Sequence, residues 1–103
     1  MEYTNAVAKA ARYAEIVRRR FDPKAIVLFG SYANGDYTKD SDIDIAVVFQ
    51  NFQGDYLRTA AELWELRRSV SEEIEPHLLD SEQDKSGFAR YILNSGHVLY
   101  QAA

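Results

Sequence analysis

The chain has 103 residues, enough for one hydrophobic core and too few for two, and its 47% hydrophobic and 27% charged residues are the balance of a folded globular domain. The absence of cysteine excludes disulfide scaffolds and thiolate metal sites, and two histidines, His77 and His97, are too few to build a metal site alone, so a bound metal would rest on carboxylates. A net charge of -4 gives no general attraction to nucleic acid, no apolar run approaches the ~20 residues of a membrane span, and Met1-Glu2-Tyr3-Thr4-Asn5 lacks the profile of a secretory signal; a cytoplasmic protein with no direct nucleic-acid binding is expected. Lys9, Arg12, Arg18, Arg19, Arg20 and Lys24 outnumber Glu2, Glu15 and Asp22 in the first quarter, which leaves room for a local basic patch.

Tyr3, Val7, Ala10, Ala14, Val17 and Phe21 recur at spacings of three and four and predict a helix from Tyr3 to Phe21. Arg18, Arg19 and Arg20 suit its C-terminal dipole. Asp22-Pro23 ends it, and Ala25 to Phe29 is an apolar run too short for a helix, hence a buried strand. Ser31 is expected to cap a short helical turn through Asn34, and Gly35-Asp36 opens a polar loop. Asp42 to Phe49 reads as the second strand.

Asp55 can cap a helix from Tyr56 to about Val70, with Leu57, Ala60, Ala61, Leu63, Trp64 and Val70 turned to the core. Glu73 to Leu79 reads as a third strand, at an edge or bulged because of Pro76. Phe88 to Asn94 looks helical, Gly96 stands where a helix C-cap is expected, and Val98 to Tyr100 forms a last short strand. Phe49, Phe52 and Tyr56 flank a loop and are candidates for a partner surface. The alternation predicts one α/β (α+β) domain over residues 1 to 103, a mixed sheet of three to four strands with helices packed on it.

Chemistry concentrates between Phe29 and Asp44. Residues two apart on a strand share a face, so Asp42 and Asp44 converge while Ile43 and Ile45 enter the core. Two like charges so close repel, and a hard divalent cation such as Mg²⁺ between them relieves the cost. Upstream, Gly30 lets a phosphate approach the backbone, and Ser31 offers a hydroxyl with the free amides of a helix start. A metal bridging carboxylates and phosphate oxygens is the working unit of nucleotidyl transfer. For both motifs to meet one ligand the first two strands must be antiparallel, whereas the helical crossover to the third suits a parallel pair. Glu75 then falls near the same end of the sheet as a third acid, sharing a face with His77; Glu73 and Asp80 compete for that role. His77 reads as a partly exposed strand residue that could touch phosphate or acceptor, and Lys39, in the loop between the motifs, could meet a phosphate, although loop lysines usually face water.

Gly30-Ser31, ten residues, then Asp42-x-Asp44 resembles the GSx10DxD motif of the DNA polymerase beta-like nucleotidyltransferases, and the short chain is similar to their minimal (MNT) branch over nearly its whole length. The resemblance implies that Asp42 and Asp44 bind two Mg²⁺ ions, that Gly30 and Ser31 hold a nucleoside triphosphate, most plainly ATP, and that Glu75 completes the site as a metal ligand or assists the nucleophile. Minimal members are often paired with a helical HEPN protein in toxin-antitoxin modules, where they transfer AMP to a tyrosine of that partner. No counterpart of the domain with which larger relatives grip their acceptor is expected, so acceptor binding would come from a partner or a homo-oligomer. Two other functions stay open here: an antitoxin that masks a HEPN protein without catalysis, and a small-molecule transferase of the aminoglycoside type.

Overall fold

The computed structural model describes residues 3 to 103, so the reading of Met1 and Glu2 lies outside the described residues. Helix α1 (Tyr3–Arg20) leads into strand β1 (Ala25–Phe29), the one-turn helix α2 (Ser31–Asn34) and strand β2 (Ile43–Phe49). Helix α3 (Tyr56–Leu66), strand β3 (Ile74–Asp80), helix α4 (Phe88–Ser95) and strand β4 (His97–Gln101) follow. The four strands form one mixed sheet in the order β3-β2-β1-β4, with β1 antiparallel to β2 and to β4, and β2 parallel to β3. Pro76 sits on β3, an edge strand, where its missing N–H costs no ladder bond in the sheet interior. Among the described residues no helix is long and apolar enough to cross a membrane.

The pleat divides the protein into two layers of packing. Ile26, Leu28, Ile43, Ile45 and Val47 point to the face covered by α1 and α3, and join Ala10, Tyr13, Val17 and Leu63 in the larger core. Val27, Ala46 and Val48 point the other way, toward Ile92 of α4 in a smaller cluster. Among the described residues, the helix packed on that second face is the eight-residue α4.

Several elements differ from expectation for identifiable reasons. The buried stripe of α1 is Ala6, Ala10, Tyr13, Ala14 and Val17, while Tyr3 is exposed against the Tyr37 ring. Three alanines let the helix lie close on the sheet, and Tyr13 is buried because its hydroxyl donates to the Leu63 carbonyl at 2.6 Å. In α3, Leu57 is 78% exposed and Trp64 is half exposed under the Arg67 guanidinium, 3.9 Å from the ring centroid; neither belongs to the core. That helix ends at Leu66 and tightens into a 3-10 turn over Arg67–Ser69, with the Ser69 hydroxyl on the Leu66 carbonyl. Asp55 does cap it, accepting from the Arg58 amide at 3.1 Å.

The cap of α2 is Gly30, not Ser31, which becomes the first helical residue. Gly96 is the C-cap of α4, as expected, with its amide donating to the Ile92 carbonyl at 2.8 Å and its backbone extended at φ -84. Glycine is needed there because a Cβ would run into Val27 Cγ1 and lie 2.9 Å from the Ile92 carbonyl oxygen.

Candidate active site

The site grows out of strand register. Phe29 stands opposite Asp44 across β1 and β2, and Asp44 opposite Glu75 across β2 and β3, so the three lie in one row over the sheet. Because Ile43 and Ile45 are fully buried on the α1 and α3 side, Asp44 must project to the sparsely covered side with α4. Asp42, just before the strand, is exposed and close enough to add its charge and a hydrogen bond to Glu75.

Gly30 closes the row from the β1 end. Its backbone, at φ 76 and ψ -148, is open almost solely to glycine, and a Cβ placed there would lie 2.5 Å from Asp44 Oδ2. The turn is therefore pressed against the Asp44 carboxylate. Ser31 is half-buried at the start of α2, where the Gly35 and Asn34 amides close the turn onto the carbonyls of Ser31 and Gly30 at 3.0 Å.

Burial pushes the Glu75 carboxyl above its ordinary range, and the negative charges of Asp44 and Asp42 add to the rise, while His77 works against it. His77 Nε2 is 3.3 Å from Asp44 Oδ1 and 3.7 Å from Glu75 Oε1. One oxygen or nitrogen from each of Asp44, Glu75 and His77 falls within 4.8 Å of the others. The rival acids are elsewhere: Glu73 pairs with Lys9 and Ser71, and Asp80 accepts the Asn51, Phe52 and Glu82 amides at 2.7 to 3.0 Å. In the sequence His77 reads as a partly exposed strand residue that could touch phosphate or acceptor; what turns its ring to Asp44 is packing on Phe29, visible only once three strands are aligned.

The basic cluster is largely spoken for. Arg18 makes a two-pronged contact with Glu15 at 2.7 Å, Arg19 shares that carboxylate, and Arg20 reaches Glu62. Of the aromatic residues expected at a partner surface, Phe49 is core, edge-on to Phe52 at 5.1 Å. Tyr56 is exposed, with its hydroxyl donating to the Leu78 carbonyl. Phe52, Tyr56, Leu79, Lys85 and Phe88 line a cavity of about 390 Å³ beside the edge strand.

The donor set fits a divalent metal with a phosphate ligand. The charges of Asp44 and Asp42 that raise the proton affinity of Glu75 would be offset by a bound cation, and the cradle beside Asp44 admits no side chain at position 30.

A family model described as polymerase beta, nucleotidyltransferase, matches residues 12–103. Among curated proteins, the chain is 39% identical over 79 residues to one named "Putative protein adenylyltransferase MJ0604" from Methanocaldococcus jannaschii, covering 75% of this chain and 78% of that one. Among solved structures, a "putative nucleotidyltransferase" from Sulfolobus solfataricus superposes with a TM-score of 0.70 at 22% identity, over 96% of this chain and 83% of that one. A complex of a tri-AMPylated HEPN toxin with its MNT antitoxin from Shewanella oneidensis matches with a TM-score of 0.63 at 21% identity, over 94% and 73%. At those identities the two structures speak for the fold.

Proposed function

Since the chain belongs to the polymerase beta nucleotidyltransferase family, we propose that it transfers AMP from ATP to a hydroxyl, specifically a tyrosine of a HEPN-type partner protein in the cytoplasm, and so acts as an antitoxin. The observation that carries this reading is the contact between the Gly30 turn and the Asp44 carboxylate, with Glu75 in register beside it: phosphate cradle and acids share one corner of the sheet.

Asp42 and Asp44 hold the metal, with Glu75 completing the ligand set, and Gly30 and Ser31 seat the triphosphate. A bound divalent cation, two Mg²⁺ ions in the family scheme, would neutralise charge on the phosphates and acidify the acceptor hydroxyl. The acceptor oxygen attacks the α-phosphorus, the bond from that phosphorus to the bridging oxygen breaks, and pyrophosphate leaves with the electron pair. Glu75, in register beside Asp44, accepts the hydroxyl proton. Gly30 keeps side-chain bulk out of the phosphate path. The Shewanella complex, whose toxin carries AMP beside its MNT antitoxin, supports the choice of acceptor.

The test is mass spectrometry of a HEPN-type partner co-expressed with this chain. Wild type adds the mass of AMP to the partner, and Asp42→Asn and Asp44→Asn do not, while both variants keep the wild-type circular dichroism. AMP transfer by both variants refutes the site. Neutralised partner with no added mass means masking instead of catalysis.

A further inference from the structure

The family motif consists of carboxylates, yet a nitrogen stands in this site. His77 lies in β3 opposite Ala46, whose methyl leaves the space over β2 open for the imidazole. The ring rests edge-on against Phe29 at 5.0 Å and 68°, and Phe29 is itself held edge-on by Phe88 at 5.8 Å and 83°. This apolar train aims Nε2 at the acids. Ligands at adjacent positions of a six-coordinate ion with bonds of about 2.1 Å are about 3.0 Å apart. The distances from Nε2, 3.3 Å to Asp44 Oδ1 and 3.7 Å to Glu75 Oε1, need only side-chain rotations to close on such an ion.

Donor chemistry then sets preference. Mg²⁺ favours oxygen ligands and gives up water reluctantly, whereas imidazole suits first-row transition ions. We infer that His77 is a metal ligand that makes the Asp44 and Glu75 corner a mixed nitrogen and oxygen site, selecting a transition-series divalent cation over Mg²⁺. The inference rests on the proposed nucleotidyltransferase site, and deepens it by naming which ion that site takes. Among the described residues the cluster comprises Asp44, Glu75 and His77, and Asp42 lies outside it. A hydrogen bond from His77 to Asp44 without ligation would use the same contact, so the experiment must see the metal–nitrogen bond itself.

Electron spin echo modulation of Mn²⁺ added to the intact protein reads that bond. Coordinated imidazole gives nitrogen modulation in wild type, and His77→Phe, which keeps a ring against Phe29 and removes the donor, abolishes it. In competition titrations the ratio of Mn²⁺ to Mg²⁺ affinity falls about tenfold or more in His77→Phe, the size of loss typical when a metal site is stripped of a supporting group. His77→Asp, an all-oxygen site, swings the ratio toward Mg²⁺. Bound Mn²⁺ without nitrogen modulation in wild type, modulation that survives in His77→Phe, or an unchanged ratio overturns the inference and leaves the carboxylate site standing. Failure of wild type to bind either ion overturns both.

Discussion

Replacing Gly30 by alanine separates the two demands placed on that position. The backbone at φ 76 and ψ -148 belongs to a region that non-glycine residues enter at a cost of roughly 1–3 kcal/mol. The new methyl would also lie 2.5 Å from Asp44 Oδ2 and 3.3 Å from its Cγ, so the carboxylate must swing away or β1 and β2 must part at their ends. Asp44 is a quarter exposed and has room to turn, so the first outcome is expected. Strain alone lowers the melting temperature by roughly 4–24 °C, taking about 4–8 °C per kcal/mol for a domain of this size. Displacing Asp44 adds a second loss, in metal affinity. Gly35→Ala is the matched control: φ is 84 there too, but nothing lies within 4 Å of the added methyl, so it costs about 1–2 kcal/mol in strain and leaves the acids in place. Urea unfolding and Mn²⁺ titration of both variants give four numbers. The argument fails if Gly30→Ala unfolds like wild type, or if it loses no more metal affinity than Gly35→Ala.

Three further outcomes follow from single contacts. Glu75→Gln should raise the metal-free unfolding free energy slightly, by several tenths of a kcal/mol for a half-exposed group, because burial and the charges of Asp44 and Asp42 oppose ionised Glu75 at neutral pH; the same variant should lose the stabilisation that added metal brings, and a metal-free loss of stability contradicts it. Tyr13→Phe should cost about 1–2 kcal/mol in urea unfolding, since it removes the buried 2.6 Å hydrogen bond that ties α1 to α3, and an unchanged midpoint would deny the bond its role. Desolvation raises the proton affinity of Asp80, but the amides of Glu82, Phe52, Asn51 and Gln83 outweigh it and hold the carboxyl below the ordinary range. A folded pKa beneath the unfolded value of about 3.9 contributes stability above that pH and loses it as pH falls through the folded value, so the advantage of wild type over Asp80→Asn should be full at pH 6 and shrink below about pH 4.

What was legible in the amino-acid order is what depends on local pattern. Ala25 to Phe29 is a strand with the expected bounds because an apolar run between Pro23 and Gly30 has few other fates. The antiparallel and parallel pairings were foreseen from connection lengths and from the need to bring Gly30 to Asp44. What escaped depends on distant partners. The rotation of the α1 stripe onto Ala6 and Tyr13 is settled by the Leu63 carbonyl, 50 residues away, and no periodicity reveals it. The exposure of Leu57 and Trp64 is a matter of where α3 crosses the sheet, which hydropathy does not contain. The choice among Glu73, Glu75 and Asp80 turns on register: Glu75 pairs with Asp44, and a two-residue offset leads to Glu73, on Lys9. His77 needed that same register and the Phe29 ring as well.

The parity of β2 joins these observations. Ile43 and Ile45, both fully buried against α1 and α3, flank Asp44, so any one-residue slip of β2 would drive a carboxylate into the larger core and expel two isoleucines. Truncating either isoleucine to alanine costs about 2–5 kcal/mol, far more than the repulsion among half-exposed acids. The register that assembles the acids is therefore held from the opposite side of the sheet, by side chains that point away from them. That arrangement lets the α4 side keep clustered carboxylates and a strained glycine, both unfavourable for folding, because neither carries the packing that decides how the strands align. Substitutions at Asp42, Asp44 or Glu75 should accordingly change binding and chemistry while the sheet stays intact, whereas damage at Ile43 or Ile45 should unmake the site and the fold together.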